Sequence, residues 1–384
     1  MKRNMKTEFV SSMDNLCFSP QQKAAMAQGL IAQMEEQTMR KHNFSSRKLV
    51  LIAAAAALLI ATLTGAAAFT RWSKNAQNRY NPSQQIKEQA EKSGLSVMLE
   101  ETENNANPND VLSVTDQGVT ITAVQTIVDH YRAEITFRIE GFEVPEDEYP
   151  ATWPTVTIDG DAHFHGMQEG GFYDGTTWNE AGEWVYASTG EPVAFEPDGE
   201  YESAILDWVA DDGSLEYTHI ISFQETDGRY LGKEIVFTFD SIDFGSQKKA
   251  GMREPQVVGN WELRWILTGT SDSITVTPNA EIGDSGVVLL DAEVGQLSLR
   301  TRYQLKEYWE GWNQLVDMPQ AVRGVRMKDG SEQSCVPSTT GFEDQENMIY
   351  FIQSTMFDAI LDISQVESLI FRDVNGETVY IPIA

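Results

Sequence analysis

From Leu49 to Thr70 the chain runs for 22 residues without a charge, LVLIAAAAALLIATLTGAAAFT. At about 1.5 Å per residue a helix of that length spans roughly 33 Å, enough for a hydrocarbon core of about 30 Å. Alanine dominates the run, and Leu51, Ile52, Leu58, Leu59, Ile60, Leu63 and Phe69 add bulk. Arg47-Lys48 precede it and Arg71-Trp72 follow it, with Trp72 suited to a membrane interface. The expectation is one retained transmembrane helix. The alternatives are a buried core helix and a cleaved secretory signal with Ala66-Ala67-Ala68 at its cleavage site. Against the signal stand the 48 residues ahead of the run, because signal peptides total about 15–30 residues.

The two flanks differ in charge. Residues 1–48 hold eight Lys and Arg against four Asp and Glu, and residues 71–384 hold 20 against 54. The formal charge of -30 therefore divides into +4 and -34. Arg40, Lys41, Arg47 and Lys48 before the span slightly outnumber Arg71, Lys74 and Arg79 after it, which places the N-terminus inside. A long acidic region can be exported whatever its charge. The chain thus reads as a single-pass plasma-membrane protein with a cytoplasmic N-terminus and a large extracellular C-terminal region. Its acidity argues against direct nucleic-acid binding, which draws on Lys and Arg. A hydrophobic fraction of 41% argues against a wholly disordered acidic chain. Cys17 and Cys335 would lie on opposite sides of the membrane, so the outer region must be held by its own cores rather than by disulfides.

In the inner segment, Phe9, Met13, Leu16 and Cys17 recur at helical spacing. Ser19-Pro20 then reads as an N-cap followed by proline at the first helical position. The helix it opens, over about residues 20–40, carries Met26, Leu30, Ile31 and Met34 on one stripe. Two helices this small do not bury their stripes alone. The expectation is a pair that docks on a partner protein through Met26, Leu30, Ile31 and Met34. A marginally helical tail is the bland alternative.

Residues 71–110 are rich in Asn, Gln, Ser and charges and read as a stalk, with a helix near 83–93. Beyond them the period changes to two. In Tyr131 to Glu140, Tyr, Ala, Ile, Phe and Ile alternate with Arg, Glu, Thr, Arg and Glu, the pattern of a half-buried antiparallel strand. Ile235, Phe237 and Phe239 repeat it, as do Trp261, Leu263, Trp265 and Leu267, and Leu297, Leu299, Thr301, Tyr303 and Leu305. Asn375-Gly376 and Asp329-Gly330 mark hairpins. Short alternating strands without intervening helices point to a mainly β fold with two antiparallel, immunoglobulin-like β-sandwich domains outside the membrane. The full division is a helical segment 1–48, a span 49–70, a stalk 71–110, a first sandwich 111–270 and a second 271–384. Gly- and aromatic-rich loops over 143–230 lengthen the first sandwich.

The helical N-terminal segment, Arg47-Lys48 before the Ala/Leu span, and the stretches Asp116 to Phe142 (DQGVTITAVQTIVDHYRAEITFRIEGF), WELRWILTG at Trp261–Gly269 and VRGVRMKDG at Val322–Gly330 together resemble one family. It comprises membrane-anchored proteins of Gram-positive bacteria with the domain of unknown function 4179. The resemblance implies a role beside extracytoplasmic-function sigma factors, as an anti-sigma factor or surface sensor, and supplies no catalytic residues. Cys17 is the sole inner cysteine and no His-x3-Cys-x2-Cys occurs, a departure from the zinc-binding anti-sigma type.

Other chemistry is sparse. Asp161, His163 and His165 alternate, with Glu169 and Asp174 nearby. A solvated turn is the stronger reading than a metal site, and no cofactor is expected. Asp159-Gly160-Asp161 and Asp211-Asp212-Gly213-Ser214 lack the continuation of a calcium loop and read as acidic turns. No Gly-x-Ser-x-Gly, P-loop, dinucleotide fingerprint or His-Glu-x-x-His is present, so an enzyme is not expected. Two aromatic groups remain: Tyr173, Trp178, Trp184 and Tyr186, and Tyr308, Trp309 and Trp312. Each either plugs the end of a sandwich or stacks on a ligand. The leading expectation is an anti-sigma factor whose inner helices hold a sigma factor while its outer domains sense or scaffold. The rival is a membrane-tethered module that binds a cell-wall glycan or surface protein, with an inert inner segment.

Overall fold

The computed structural model describes residues 72–99, 109–145, 148–162, 166–179, 181–198, 201–210, 212–223, 230–246, 255–306, 321–343 and 349–383. The expected span Leu49–Thr70, the stripe Met26, Leu30, Ile31 and Met34, and His163, His165, Tyr308, Trp309 and Trp312 lie outside them. Among the described residues no helix is long and apolar enough to cross a membrane. They are mainly β.

Among the described residues, one antiparallel sheet runs in the order Ser96–Met98, Val119–Val128, Arg132–Glu140, Leu215–Phe223, Gly166–Phe172, and Ser113–Asp116 also pairs with Val119–Val128. Tight turns set its register. Gln117 and Gly118 both take left-handed backbone, with φ of 49° and 83°, the conformation whose twist matches the two strands it joins. A second sheet centres on Glu234–Ser246, paired with Pro255–Ile266 and with Glu148–Ala151 and Thr155–Ile158.

The first core lies between these sheets. Ile135, Phe137 and Ile139, the apolar side of the alternating run, pack with Phe237, Phe239, Trp261, Leu263 and Trp265. Phe137 has Phe237 at 4.9 Å and Phe239 at 5.1 Å edge-on, and Phe237 stacks on Trp265 at 5.6 Å. Such ring pairs add about 0.5–1.5 kcal/mol each beyond area burial. Trp261 Nε1 donates to Val119 O at 3.0 Å, so one indole ties the two sheets together. A second core, with Leu289, Leu299, Tyr303, Phe351, Leu369 and Phe371, is built on one long sheet. Its order is Ile274–Val276, Val288–Val294, Ser298–Gln304, Tyr350–Phe357, Glu332–Phe342, Gly324–Met327, Val366–Arg372, Thr378–Pro382. Glu332–Phe342 breaks register between Pro337 and Thr339.

The stretch expected to be a stalk is a folded layer from residue 72 to 99. Helix α1 (Lys74–Tyr80) is capped by Ser73, whose side chain accepts from Ala76 N. Helix α2 (Gln84–Ser93) is capped by Ser83 and stopped by Gly94 at φ 76°. Trp72, expected at a membrane interface, is 2% exposed and packs with Ala76, Tyr80, Ala90, Leu95, Ile127, Leu297 and Ile360. Its Nε1 donates to Glu91 Oε1 at 2.9 Å. The anchoring apolar residues are few and widely spaced, which is why the polar composition around them resembles a linker.

This layer changes the meaning of the polar side of the first sheet. Arg132, Glu134 and Thr136, expected to face solvent, are each at most 2% exposed. Tyr80 donates to Glu134 Oε2 at 2.8 Å, Asn75 Nδ2 to Thr218 Oγ1 at 2.9 Å, and Thr136 Oγ1 to Ser73 Oγ at 3.2 Å. Over residues 132–137 the sheet is buried on both faces, one apolar and one polar.

Candidate functional site

Residues inserted between the edge strand Gly166–Phe172 and the strand Leu215–Phe223 form two small hairpins, Thr176–Trp178 with Trp184–Tyr186 and Phe195–Asp198 with Tyr201–Ala204. The first pairs Thr176 with Tyr186 and Trp178 with Trp184, so these four side chains share one face of the ribbon. Val185, on the opposite face, is buried and holds the hairpin down. The exposed face is aromatic. Trp178 and Trp184 stack with centroids 6.4 Å apart and planes 24° apart, and Phe195 meets Trp184 edge-on at 5.9 Å. Trp178 is 69% exposed and Phe195 52%.

Hydrogen bonds fix the centre of this surface. Trp184 Nε1 donates to Thr176 Oγ1 at 2.7 Å, and that hydroxyl donates to Asp174 Oδ1 at 2.8 Å. Tyr186 donates to Ile205 O at 2.9 Å and accepts from Ala194 N at 3.2 Å, which ties the second hairpin, and with it Phe195, to the first. The Trp178 indole N–H meets no acceptor among the described residues. Of the four aromatics singled out in the sequence, Trp178, Trp184 and Tyr186 share this face. Tyr173 does not: it is 6% exposed. Phe195 was missed, since its strand is brought alongside by the bonds of Tyr186 and by backbone contacts of Pro192 and Val193 with Val185 and Trp184, which leave no mark in the sequence. The arrangement offers flat ring faces and a pre-set central indole, which is binding chemistry.

The acidic residues weighed as metal ligands have local work. Asp174 and Asp212 each accept from the backbone N–H and the hydroxyl of the Ser or Thr two residues on, the Asx-turn geometry that Asp329 and Asp362, never candidates for a metal, also adopt. Asp159 pairs with Lys233 at 2.9 Å. Among the described residues no group of three or more His, Cys, Asp and Glu is placed to hold a metal ion.

Sequence reasoning also missed a set of buried polar groups where the helical layer and the two cores meet. Asp129 Oδ1 accepts from Tyr131 N and Arg132 N at 3.0 Å each, Oδ2 accepts from Leu297 N at 2.9 Å, and Ser298 Oγ lies 2.7 and 2.8 Å from its two oxygens. Glu216 accepts from Lys74 N and Asn75 N at the start of α1, adding a carboxylate at the positive end of the helix. Burial pushes the carboxyls of Asp129 and Glu216 up from their ordinary values, against the pull of these donors. On the other face of the sheet, against Phe237 and Trp153, His219 is held between Tyr217 OH and Gln168 Oε1; burial drives it down to about 4, so it is neutral at pH 7. Asp129 sits in the short break between two alternating strands, and that break is the one trace of it in the sequence.

No family model matches the chain, and no curated protein matches it. Among solved structures it is similar to the conserved domain protein from Bacillus anthracis, with 13% identity and a TM-score of 0.41 over 75% of this chain and 94% of that one.

Proposed function

We propose that this chain is a single-pass membrane signalling protein whose outer β region receives a ligand on the Trp178–Trp184–Phe195 surface. The observation that carries this reading is the combination of a hydrogen-bonded Trp184 with two exposed rings beside it. Rigid aromatic area that is already ordered binds with little further loss of entropy, and contiguous exposed apolar surface is the usual mark of an interaction site. The two cores support a pair of immunoglobulin-like sandwiches, 111–270 and 271–384, outside the plasma membrane, with Leu49–Thr70 in the bilayer and the N-terminus in the cytoplasm. The test is binding of the full chain, in an uncharged detergent, to arrays of glycans and peptides. Ligands captured by the wild type are expected to be lost with Trp178→Ala. Identical capture by both would remove the aromatic surface from the account.

The inner half of the proposal is an anti-sigma role of the domain of unknown function 4179 type. Met26, Leu30, Ile31 and Met34 would fill a groove on an extracytoplasmic-function sigma factor that core polymerase also needs. The helical spacing of these residues and the family resemblance support it. A sigma factor is expected to co-purify with the full chain and not with Leu30→Asp/Met34→Asp. Recovery of none with either leaves the rival, a tethered surface-binding module with an inert inner segment.

A further inference from the structure

We propose that the Trp178–Trp184–Phe195 surface takes a cationic peptide segment, rich in Lys and Arg. The inference rests on reading this surface as a binding site and names the ligand class. Its independent support is charge. Residues 139–228 hold 22 Asp and Glu and no Lys or Arg, and residues 166–210, which carry the whole aromatic surface, hold no Lys, Arg or His. Glu183 lies in the turn joining the two tryptophan-bearing strands and is exposed, its Oε2 accepting from Asn179 Nδ2 at 2.9 Å. Glu191, also exposed, follows the second of those strands.

Electron-rich ring faces on a segment whose own charges are all negative favour cations, although α1, which carries Lys74 and Arg79, also reaches this hairpin, Asn78 Nδ2 donating to Thr176 O. Tryptophan is the strongest aromatic partner for a guanidinium or ammonium group. The surrounding carboxylates raise the local concentration of a basic ligand and its rate of encounter, and they repel anionic polymers. A neutral glycan would use the stacking faces and gain nothing from the charge. The openness of the surface separates a peptide from a small cation. Trp178 and Phe195 stand more than half exposed, whereas small ligands are held in concave sites that cover most of their surface. An open, flat surface gains affinity when several cations lie along one chain and bind together.

The experiment is calorimetric titration of the full chain, in uncharged detergent, with octa-arginine and with chitohexaose as a neutral glycan. Wild type is expected to bind octa-arginine, more weakly as salt rises, and Trp178→Ala to bind it roughly threefold to thirtyfold more weakly. Equal binding by Trp178→Ala would show diffuse charge attraction and overturn the proposal. Chitohexaose binding that depends on Trp178, without octa-arginine binding, would overturn the cationic ligand and leave the binding surface standing. Failure of both probes would overturn both.

Discussion

Asp129 makes the sharpest test of how the two cores are joined. It closes the hairpin between Val119–Val128 and Arg132–Glu140, yet one of its oxygens belongs to Leu297 N and Ser298 Oγ, at the start of a strand of the second core. Asp129→Ala orphans the N–H groups of Tyr131, Arg132 and Leu297. A buried donor without a partner costs about 1–3 kcal/mol, and some recovery through entering water brings the expected loss to about 3–5 kcal/mol. Asp129→Asn keeps the oxygen that serves Tyr131 and Arg132 but turns an amide N–H₂ toward Leu297 N, so about 1–3 kcal/mol is expected. The pH dependence has a definite sign. Burial raises the folded-state pKa of Asp129 above its unfolded value, so its contribution is fully present below the unfolded value and is lost as pH rises through the folded one. Ser298 Oγ, within reach of both oxygens, is the acceptor for the protonated form. Asparagine does not titrate, so the penalty of Asp129→Asn should shrink as pH rises from about 4 toward 7. Scanning calorimetry of the full chain across that window, on wild type and both variants, measures this. A penalty that grows with pH, or an Asp129→Ala loss below about 1 kcal/mol, would refute the reasoning.

Four further outcomes follow from particular contacts. Phe137→Ala, at the centre of the ring cluster and fully buried, should cost about 3–5 kcal/mol in the same calorimetry. Gly141→Ala should destabilise by more than about 1 kcal/mol, because Gly141 has φ +81° and an added Cβ would lie 2.3 Å from Gly118 O. Trp178→Ala should leave thermal stability within about 0.5 kcal/mol, since that ring is 69% exposed; a larger loss would make the ring structural. Burial pushes the Cys335 thiol up to about 11, so in a Cys17→Ser chain a disulfide reagent at pH 8 should label Cys335 only after denaturation.

The strands were legible because their inward residues repeat every second position over long runs. Phe137 with its neighbours and Trp261 to Leu267 are buried as that period requires. The turns were legible as places but not as geometries. At Asn375-Gly376 only the glycine is left-handed, and Asp373 Oδ1 accepts from the N–H groups of Asn375 and Glu377, so a carboxylate rather than a pair of left-handed residues shapes the loop. The aromatic cluster was visible as composition. That Trp178 lies across from Trp184 while Tyr173 turns inward depends on register, which a three-residue strand specifies weakly.

The polar junction was hidden for a different reason. A period of two assigns side chains to faces and is silent on what covers each face. Arg132, Glu134 and Thr136 alternate with Ala133, Ile135 and Phe137 as they would on a solvated strand. What distinguishes them is a layer contributed from about 50 residues earlier, where Ser73, Tyr80 and Trp72 are too sparse to form a stripe. A polar face covered by a polar layer is specified by hydrogen-bond geometry, and that geometry leaves no periodic trace. Its cost does leave a physical one. Arg132 and Glu134 are buried beneath this layer, and a buried charge that lacks its partners is far more costly than an exposed one. Displacing α1 would strip Glu134 of Tyr80 and Glu216 of Lys74 N and Asn75 N together. The helical layer and the first sheet should therefore separate as one cooperative step.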